Sequence, residues 1–198
     1  REDVHSRTAA ETFGVDAGDV TPEQRRVAKV LNFGIAYGLS AYGLAQRLAM
    51  PAGEAQAIID RYFARYAGVK RWLDATVAQA RETGEVRTLW GRRRELPDVR
   101  SRNPGLRQAA ERMAVNTPIQ GTAADIVKVA MLRVDGALAE QGLSARMILQ
   151  VHDELVLEVP SEEADRAEAL VREAMEGAAA LRVPLEVEVG RARSWADA

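Results

Sequence analysis

Apolar residues recur at helical spacing over most of this chain and at alternating positions only near its end. Val27, Val30, Leu31 and Ile35 mark one face of a segment that opens with Thr21-Pro22-Glu23-Gln24. That opening combines a threonine N-cap, a proline at the first helical position and a glutamine three residues after the cap. The helix is expected to run to about Tyr37, with Gly38 just past its end. Residues 3–13 read as a short helix ended by Gly14, and residues 16–20 as a loop. Ser40 is expected to cap a helix through Leu48, and Pro51 to start another. In that one Ala55, Ile58, Ile59, Tyr62, Phe63 and Tyr66 share a face, and Gly68 is expected to break it. Val69, Trp72, Leu73, Thr76, Val77 and Ala80 form the stripe of the next helix, which should pack antiparallel to its predecessor.

Residues 86–89 and 94–96 flank Trp90-Gly91-Arg92-Arg93 and predict a small hairpin. Residues 106–115 are helical, and Pro118 is expected to interrupt before a longer helix that reaches Gln141, with Gly142 as its stop. Met147-Ile148-Leu149 and Leu155-Val156-Leu157 are short branched-aliphatic runs and read as buried strands. The polar triplet His152-Asp153-Glu154 then falls at or beside a tight turn. Ser161 is expected to cap a helix whose first turn carries Glu162, Glu163 and Asp165. Leu185, Val187 and Val189 alternate with Glu186 and Glu188, the pattern of a half-buried strand. The fold class expected is α+β, a helical subdomain followed by part of a sheet-based one.

Composition narrows the chemistry. The 198 residues are 47% hydrophobic and 28% charged, an ordinary globular balance. No cysteine is present, which excludes disulfides, thiolate metal sites and a cysteine nucleophile, and with His5 and His152 the only histidines a histidine-rich zinc site is not expected. A metal would be a hard cation on carboxylates. No apolar run approaches the roughly 18 residues of a membrane span, and an intracellular setting is expected. The net charge of −2 gives no global basic excess of the kind nucleic-acid binders show. Arg1-Glu2-Asp3 leads straight into a helical pattern without a methionine, which suggests a fragment.

Three constellations could carry chemistry. Arg25, Lys29, Phe33 and Tyr37 are spaced four apart, so they lie along one stripe about 18 Å long. Two cations followed by an aromatic ring and a phenol suit a nucleotide, with phosphates at one end and sugar and base at the other. Spacing alone favours the plainer alternative, a solvated basic end followed by core aromatics. The segment 81–112 holds Arg81, Arg87, Arg92, Arg93, Arg94, Arg100, Arg102, Arg107 and Arg112 against five acids; it is equally a phosphate-neutralising patch and a soluble surface. Arg112, Asn116 and Gln120 are again four apart and could donate to the acceptors of the minor groove, although Thr117-Pro118-Ile119-Gln120 also reads as a helix start. The adjacent carboxylates Asp153 and Glu154 are either an exposed turn or a metal-binding tip, because ionised groups beside a core need partners.

Taken together, these motifs resemble family A DNA polymerases. Arg25-x3-Lys29-x3-Phe33-x2-Ala36-Tyr37-Gly38 resembles that family's fingers motif, and Val151-His152-Asp153-Glu154 the palm motif that carries one catalytic aspartate. Thr88 to Arg94, Asn116 to Asp125, Asp3-Val4-His5, Val187-Glu188-Val189-Gly190 and Trp195 match in order, so the resemblance covers essentially the whole chain. It implies fingers over residues 1–83 and a C-terminal palm region over 84–198, with the catalytic hairpin near 145–159. It implies template-directed transfer of a deoxynucleotide onto a primer 3′-hydroxyl, with two Mg²⁺ ions. Arg25, Lys29 and His5 would hold the triphosphate, Phe33 would stack near sugar and base, and Tyr37 would guard the template-side entrance. Arg112, Gln120 and His152 would touch the primer-template minor groove and primer end, and Asn116 would lie near the template. Asp153 would hold metal beside a less essential Glu154; with Lys29 these form the implied catalytic set. Phe33 implies discrimination against dideoxynucleotides.

The partners implied are primer-template DNA and dNTPs, with no membrane, for a monomer in the cytoplasm associated with the nucleoid. The family's other catalytic aspartate lies in a motif Asp-x-Ser-x-x-Glu-Leu-Arg that this sequence does not contain. The chain is therefore expected to be a fingers and palm fragment with negligible activity alone. A non-catalytic DNA-binding module and a Mg²⁺-dependent nuclease are the competing readings.

Overall fold

A computed structural model describes residues 3–197; Arg1 and Glu2 of the opening run, and Ala198, lie outside them. The chain divides into two compact units, residues 1–119 and 120–198. Seven α-helices and two antiparallel hairpins make up the described residues, in agreement with the expected α+β class.

In the first unit, α1 (Val4–Phe13) is capped by Asp3 and α2 (Pro22–Ala36) opens with a complete capping box between Thr21 and Gln24. Next come α3 (Ala41–Leu48), whose cap is Ser40, α4 (Ala52–Arg65) and α5 (Ala67–Thr83). One core gathers Val27, Leu31 and Ile35 of α2, Leu44 and Leu48 of α3, and Ala55, Ile58, Ile59 and Tyr62 of α4. α2 ends as the sequence suggests. The Gly38 N–H donates to the Ile35 carbonyl and the Leu39 N–H to the Gly34 carbonyl, with Gly38 at φ +71°. This paired closure is the Schellman motif. It sends the Leu39 side chain back over the last turn, where a Cβ on Gly34 would lie 3.0 Å from Leu39 Cβ.

Several expectations fail here for identifiable reasons. The break after α4 falls at Tyr66 (φ −106°, ψ 51°), and Gly68 sits within the first turn of α5. α4 packs chiefly on α3 and α1 and only slightly on α5, so the antiparallel pair does not form. Val69 and Trp72 stay exposed; of the α5 stripe only Ala80 is buried, against a second small core of Val86, Leu96, Val99, Ala110 and Ala114. That core joins α5 to the hairpin β1 (Glu85–Arg87) and β2 (Arg93–Glu95), and to α6 (Pro104–Glu140).

α6 is continuous through Pro118, so the expected interruption does not occur. Proline removes the N–H that would reach the Ala114 carbonyl, yet a single lost bond does not end a helix whose preceding turn is anchored by the buried Ala114, Val115 and Thr117. Thr117 does not cap anything: its hydroxyl donates to the Met113 carbonyl at 2.7 Å, a back-bond typical of threonine inside a helix.

The second unit builds its core from Val134 and Leu138 of α6, Ala145, and Ala167 and Val171 of α7 (Ala164–Glu176), with Met147, Leu155 and Leu157 packed against them. β3 (Arg146–Val151) and β4 (Glu154–Glu158) form the central hairpin. Neither strand is buried as expected; Ile148 and Leu149 are exposed. Ser161 begins a single 3₁₀ turn, and α7 starts after Glu163 without a side-chain cap. The Glu163 carboxylate instead accepts from the Ser144 N–H at 2.8 Å. Residues 185–189 alternate in exposure as the sequence suggests but join no ladder. Side chains of α7 take the Val187 backbone: Arg172 donates to its carbonyl, and its N–H donates to Glu176 at 3.1 Å.

Glu11 ties α1 to α4. Its carboxylate accepts from Arg65 at 2.8 Å and from the Tyr66 hydroxyl. These bonds, Arg65 first, hold its carboxyl down to about 2 from an ordinary 4.5. A carboxyl depressed by folding stabilises the fold above its unfolded pKa, and that contribution is lost as pH falls through the folded one. Glu11→Gln should therefore cost about 1 kcal/mol at pH 7, a difference that disappears between about pH 4.5 and pH 2. Urea unfolding of both proteins across that range checks it; a difference constant with pH would contradict it.

Candidate active site

The stripe on α2 is set by its opposite face. Val27, Leu31 and Ile35 are buried, so Arg25, Lys29, Phe33 and Tyr37 all face outward. Phe33 is 51% exposed and Tyr37 45%, which removes the reading of these aromatics as core. α1 lies alongside and brings His5 to Phe33, with ring centroids 5.5 Å apart and planes tilted by 50°. Asn32 Nδ2 stands 3.2 Å from His5 Nδ1 and 3.0 Å from Thr8 Oγ1. With the amide donating to Nδ1, the proton of a neutral His5 sits on Nε2.

The two cations differ in their surroundings. Arg25 Nε donates to Asp3 Oδ2 at 2.6 Å, and this bond, followed by that from Ser6, holds the Asp3 carboxyl well below the usual range. Lys29 is exposed and has no ion-pair partner among the described residues. At the far end of the stripe the stem of Arg112 lies against Gly38, where a Cβ would come within 2.8 Å of Arg112 Cγ. The first unit thus brings together His5, Arg25, Lys29 and Phe33, with Tyr37 followed directly by the glycine that Arg112 covers. Asn116, one turn after Arg112 on α6, keeps its Oδ1 buried without a hydrogen-bond partner.

The arginine-rich segment resolves largely into internal pairs. Arg81 meets Glu111 at 2.5 Å, Arg87 meets Glu85 at 2.7 Å, and Arg93 bonds Glu95 at 3.1 Å. Arg94 donates to Thr117 Oγ1, Arg100 to the carbonyls of Arg81 and Glu82, and Arg107 to the Ser101 carbonyl. Among the described residues Arg102 and Arg112 carry no ion pair. Most of this patch is therefore structural.

The second unit holds Gln120 and the tip of the central hairpin. Val151 pairs with Glu154, so the connection is two residues, His152 and Asp153. His152 adopts φ +53°, a left-handed conformation at the first turn position, where glycine is favoured. The ladder shifts register between Met147 and Leu149, leaving Ile148 unpaired. That bulge places Gln150, opposite Leu155, on the same face as Met147 and Leu157. The Gln150 side-chain amide donates to the His152 carbonyl. His152, Asp153 and Glu154 are all exposed.

Among the described residues no cluster of three or more His, Cys, Asp or Glu side chains forms a metal cage. The tip offers two adjacent carboxylates, which fits a hard cation that keeps several waters and takes one or two carboxylates plus substrate phosphates. Sequence reasoning missed Asp3, Asn32 and Gln150. Asn32, a short polar residue beside Phe33 within a helix, was the one signal in the pattern; the bulge that places Gln150 has none.

The pattern of DNA polymerase family A matches residues 1–197. DNA polymerase I of Pseudomonas aeruginosa is 56% identical over 196 residues, which are 99% of this chain and 22% of that protein. DNA polymerase I of Mycobacterium tuberculosis is 55% identical over 194 residues, 98% of this chain and 22% of that one. The solved polymerase domain of Pol1 from M. smegmatis, in complex with DNA primer-template and dNTP, is similar with a TM-score of 0.94 and 52% identity, over 98% of this chain and 34% of that domain. The chain thus spans about 22% of the length of the curated relatives it resembles.

A non-glycine residue held in the left-handed region costs about 1 kcal/mol. His152→Gly should therefore stabilise the hairpin by about that amount, read as slower amide exchange at Val151 and Glu154. Unchanged or faster exchange would count against strain at this position.

Proposed function

The chain belongs to DNA polymerase family A, and from that premise we propose that it serves template-directed DNA synthesis, as fingers over residues 1–83 and palm over 84–198. The observation that carries this reading is the exposed order along α2, two cations and then two aromatics, which a core or a plain solvated face does not explain. The compact units divide later, inside α6, because β1, β2 and the start of α6 pack on the end of α5.

The division of labour follows from each residue's chemistry. Lys29, one turn beyond Arg25 and without an ion pair among the described residues, attracts the triphosphate of an incoming dNTP, and Arg25 binds it through its guanidinium. His5 donates from Nε2 to a phosphate oxygen. Phe33 supplies a flat apolar face to sugar and base, and Tyr37 closes the template side. Arg112, Asn116 and Gln120 donate to acceptors that every base pair shows in the minor groove, which checks pair shape rather than sequence; His152 approaches the primer end. Asp153, with Glu154 as its neighbour, holds a divalent metal. Two Mg²⁺ ions, when bound, supply charge neutralisation for nucleotidyl transfer, the second needing carboxylates beyond this pair. DNA and dNTP as ligands are supported by the M. smegmatis neighbour, which was solved with both. No helix among the described residues is long and apolar enough to cross a membrane.

Grafting this chain in place of the matching segment of the P. aeruginosa enzyme tests the reading. The chimera should extend a primer. Asp153→Asn should lower extension by at least about a hundredfold while primer-template binding is retained. Unimpaired extension would instead favour a non-catalytic DNA-binding module, and primer degradation a nuclease. Phe33 offers no hydroxyl to replace a missing 3′-hydroxyl, so the same chimera should use ddNTPs less efficiently than dNTPs; comparable incorporation would contradict that role.

A further inference from the structure

We propose that Asp3 is a positioning residue for the triphosphate site: it fixes the Arg25 guanidinium through Nε and leaves both Nη groups directed to an anionic ligand. The inference rests on the reading of Arg25 and Lys29 as triphosphate-binding.

Three features of the contact carry it. First, the Asp3 carboxylate is itself fixed. Oδ1 accepts from the His5 N–H at 3.1 Å as the cap of α1, and Oδ2 accepts from Ser6 Oγ at 2.6 Å as well as from Arg25. Second, the contact uses Arg25 Nε alone. Among the described residues neither Nη group has a hydrogen-bond partner, so the fork that pairs with phosphate remains available. Third, the pair is half exposed, with 48% of the Arg25 and 39% of the Asp3 side chain accessible. A pair that open adds little to folding stability, so its geometric effect outweighs its energetic one.

The consequence is pre-organisation. A free arginine side chain must lose its rotamer freedom when it binds, and a guanidinium already held at Nε loses less. Because the same carboxylate caps α1, the position of Arg25 is also tied to the helix that carries His5. Asp3 thus places two phosphate-facing groups relative to one another from a single side chain. Lys29, with no such partner, acts as a mobile point charge beside them.

Titration of the ¹⁵N-labelled chain with inorganic tripolyphosphate tests this, read from the Lys29 Nζ and Arg25 Nε–Hε resonances. Asp3→Ser keeps a good N-cap and removes the reach to Arg25. It should weaken tripolyphosphate binding about three- to tenfold with the helical content unchanged. In the Arg25→Ala background the same substitution should have no further effect, since Asp3 acts through Arg25. In the wild type the Arg25 Nε–Hε signal should keep its hydrogen-bonded position as ligand is added.

Binding by Asp3→Ser as tight as wild type or tighter overturns the proposal. So does an Asp3→Ser effect that persists without Arg25, or an Arg25 Nε–Hε signal released by the ligand. If tripolyphosphate moves neither Lys29 nor Arg25 in the wild type, the triphosphate reading fails and the role of Asp3 falls with it.

Discussion

The burial of one face of α2 is the constraint on which the candidate nucleotide site depends. Val27, Leu31 and Ile35 lock the rotation of the helix about its axis, and a helix fixed in rotation has no choice about what it shows on the other side. The two ends lock its position along that axis. Thr21 and Gln24 satisfy each other at the start, and at the finish Leu39 folds back over Gly34. A side chain at position 34 would collide with Leu39, and one at 38 with Arg112. The glycines therefore do more than permit a turn: they let the end of the stripe meet the helix that carries Arg112.

Local signals in the sequence proved strongest where one residue type has one physical job. The Thr21 and Ser40 caps, the Gly38 closure and the buried faces of α2 and α4 are all legible, because each depends on neighbours within a turn. What was not legible depends on distant partners. Whether Pro118 breaks a helix depends on tertiary packing, here of Ala114, Val115 and Thr117 in the turn before it. Ser161 loses its expected cap to a 3₁₀ turn. The stretch 185–189 has the alternation of a strand, yet its backbone is claimed by Arg172 and Glu176, which no periodicity reveals. The α5 stripe has helical spacing, but periodicity states only that a face exists, not that anything covers it.

The same distinction governs the charges. A count of arginines between positions 81 and 112 suggests a phosphate-binding patch, whereas the structure pairs most of them with Glu85, Glu95 and Glu111 or with backbone carbonyls. An arginine already neutralised contributes little to capturing a polyanion, so charge count overstates the interface. Lys29, Arg102 and Arg112 are the informative cations because no ion pair among the described residues neutralises them. Arg25 is the intermediate case, paired at one nitrogen and open at two.

At the hairpin tip the governing feature is backbone strain. A two-residue turn with left-handed backbone at its first position asks for glycine, and the chain supplies histidine. Stability alone would not select that residue, since glycine there is cheaper. Around it the structure adds compensations: the bulge at Ile148 turns Gln150 to the face where it meets the His152 carbonyl, and Arg146 pairs with Glu158 at 2.8 Å at the open end. Strain held in place by its surroundings is characteristic of functional positions. A polar turn with no task would need neither the histidine nor the glutamine that steadies it, and this accords with the proposed role of the adjacent, exposed Asp153 as a metal ligand.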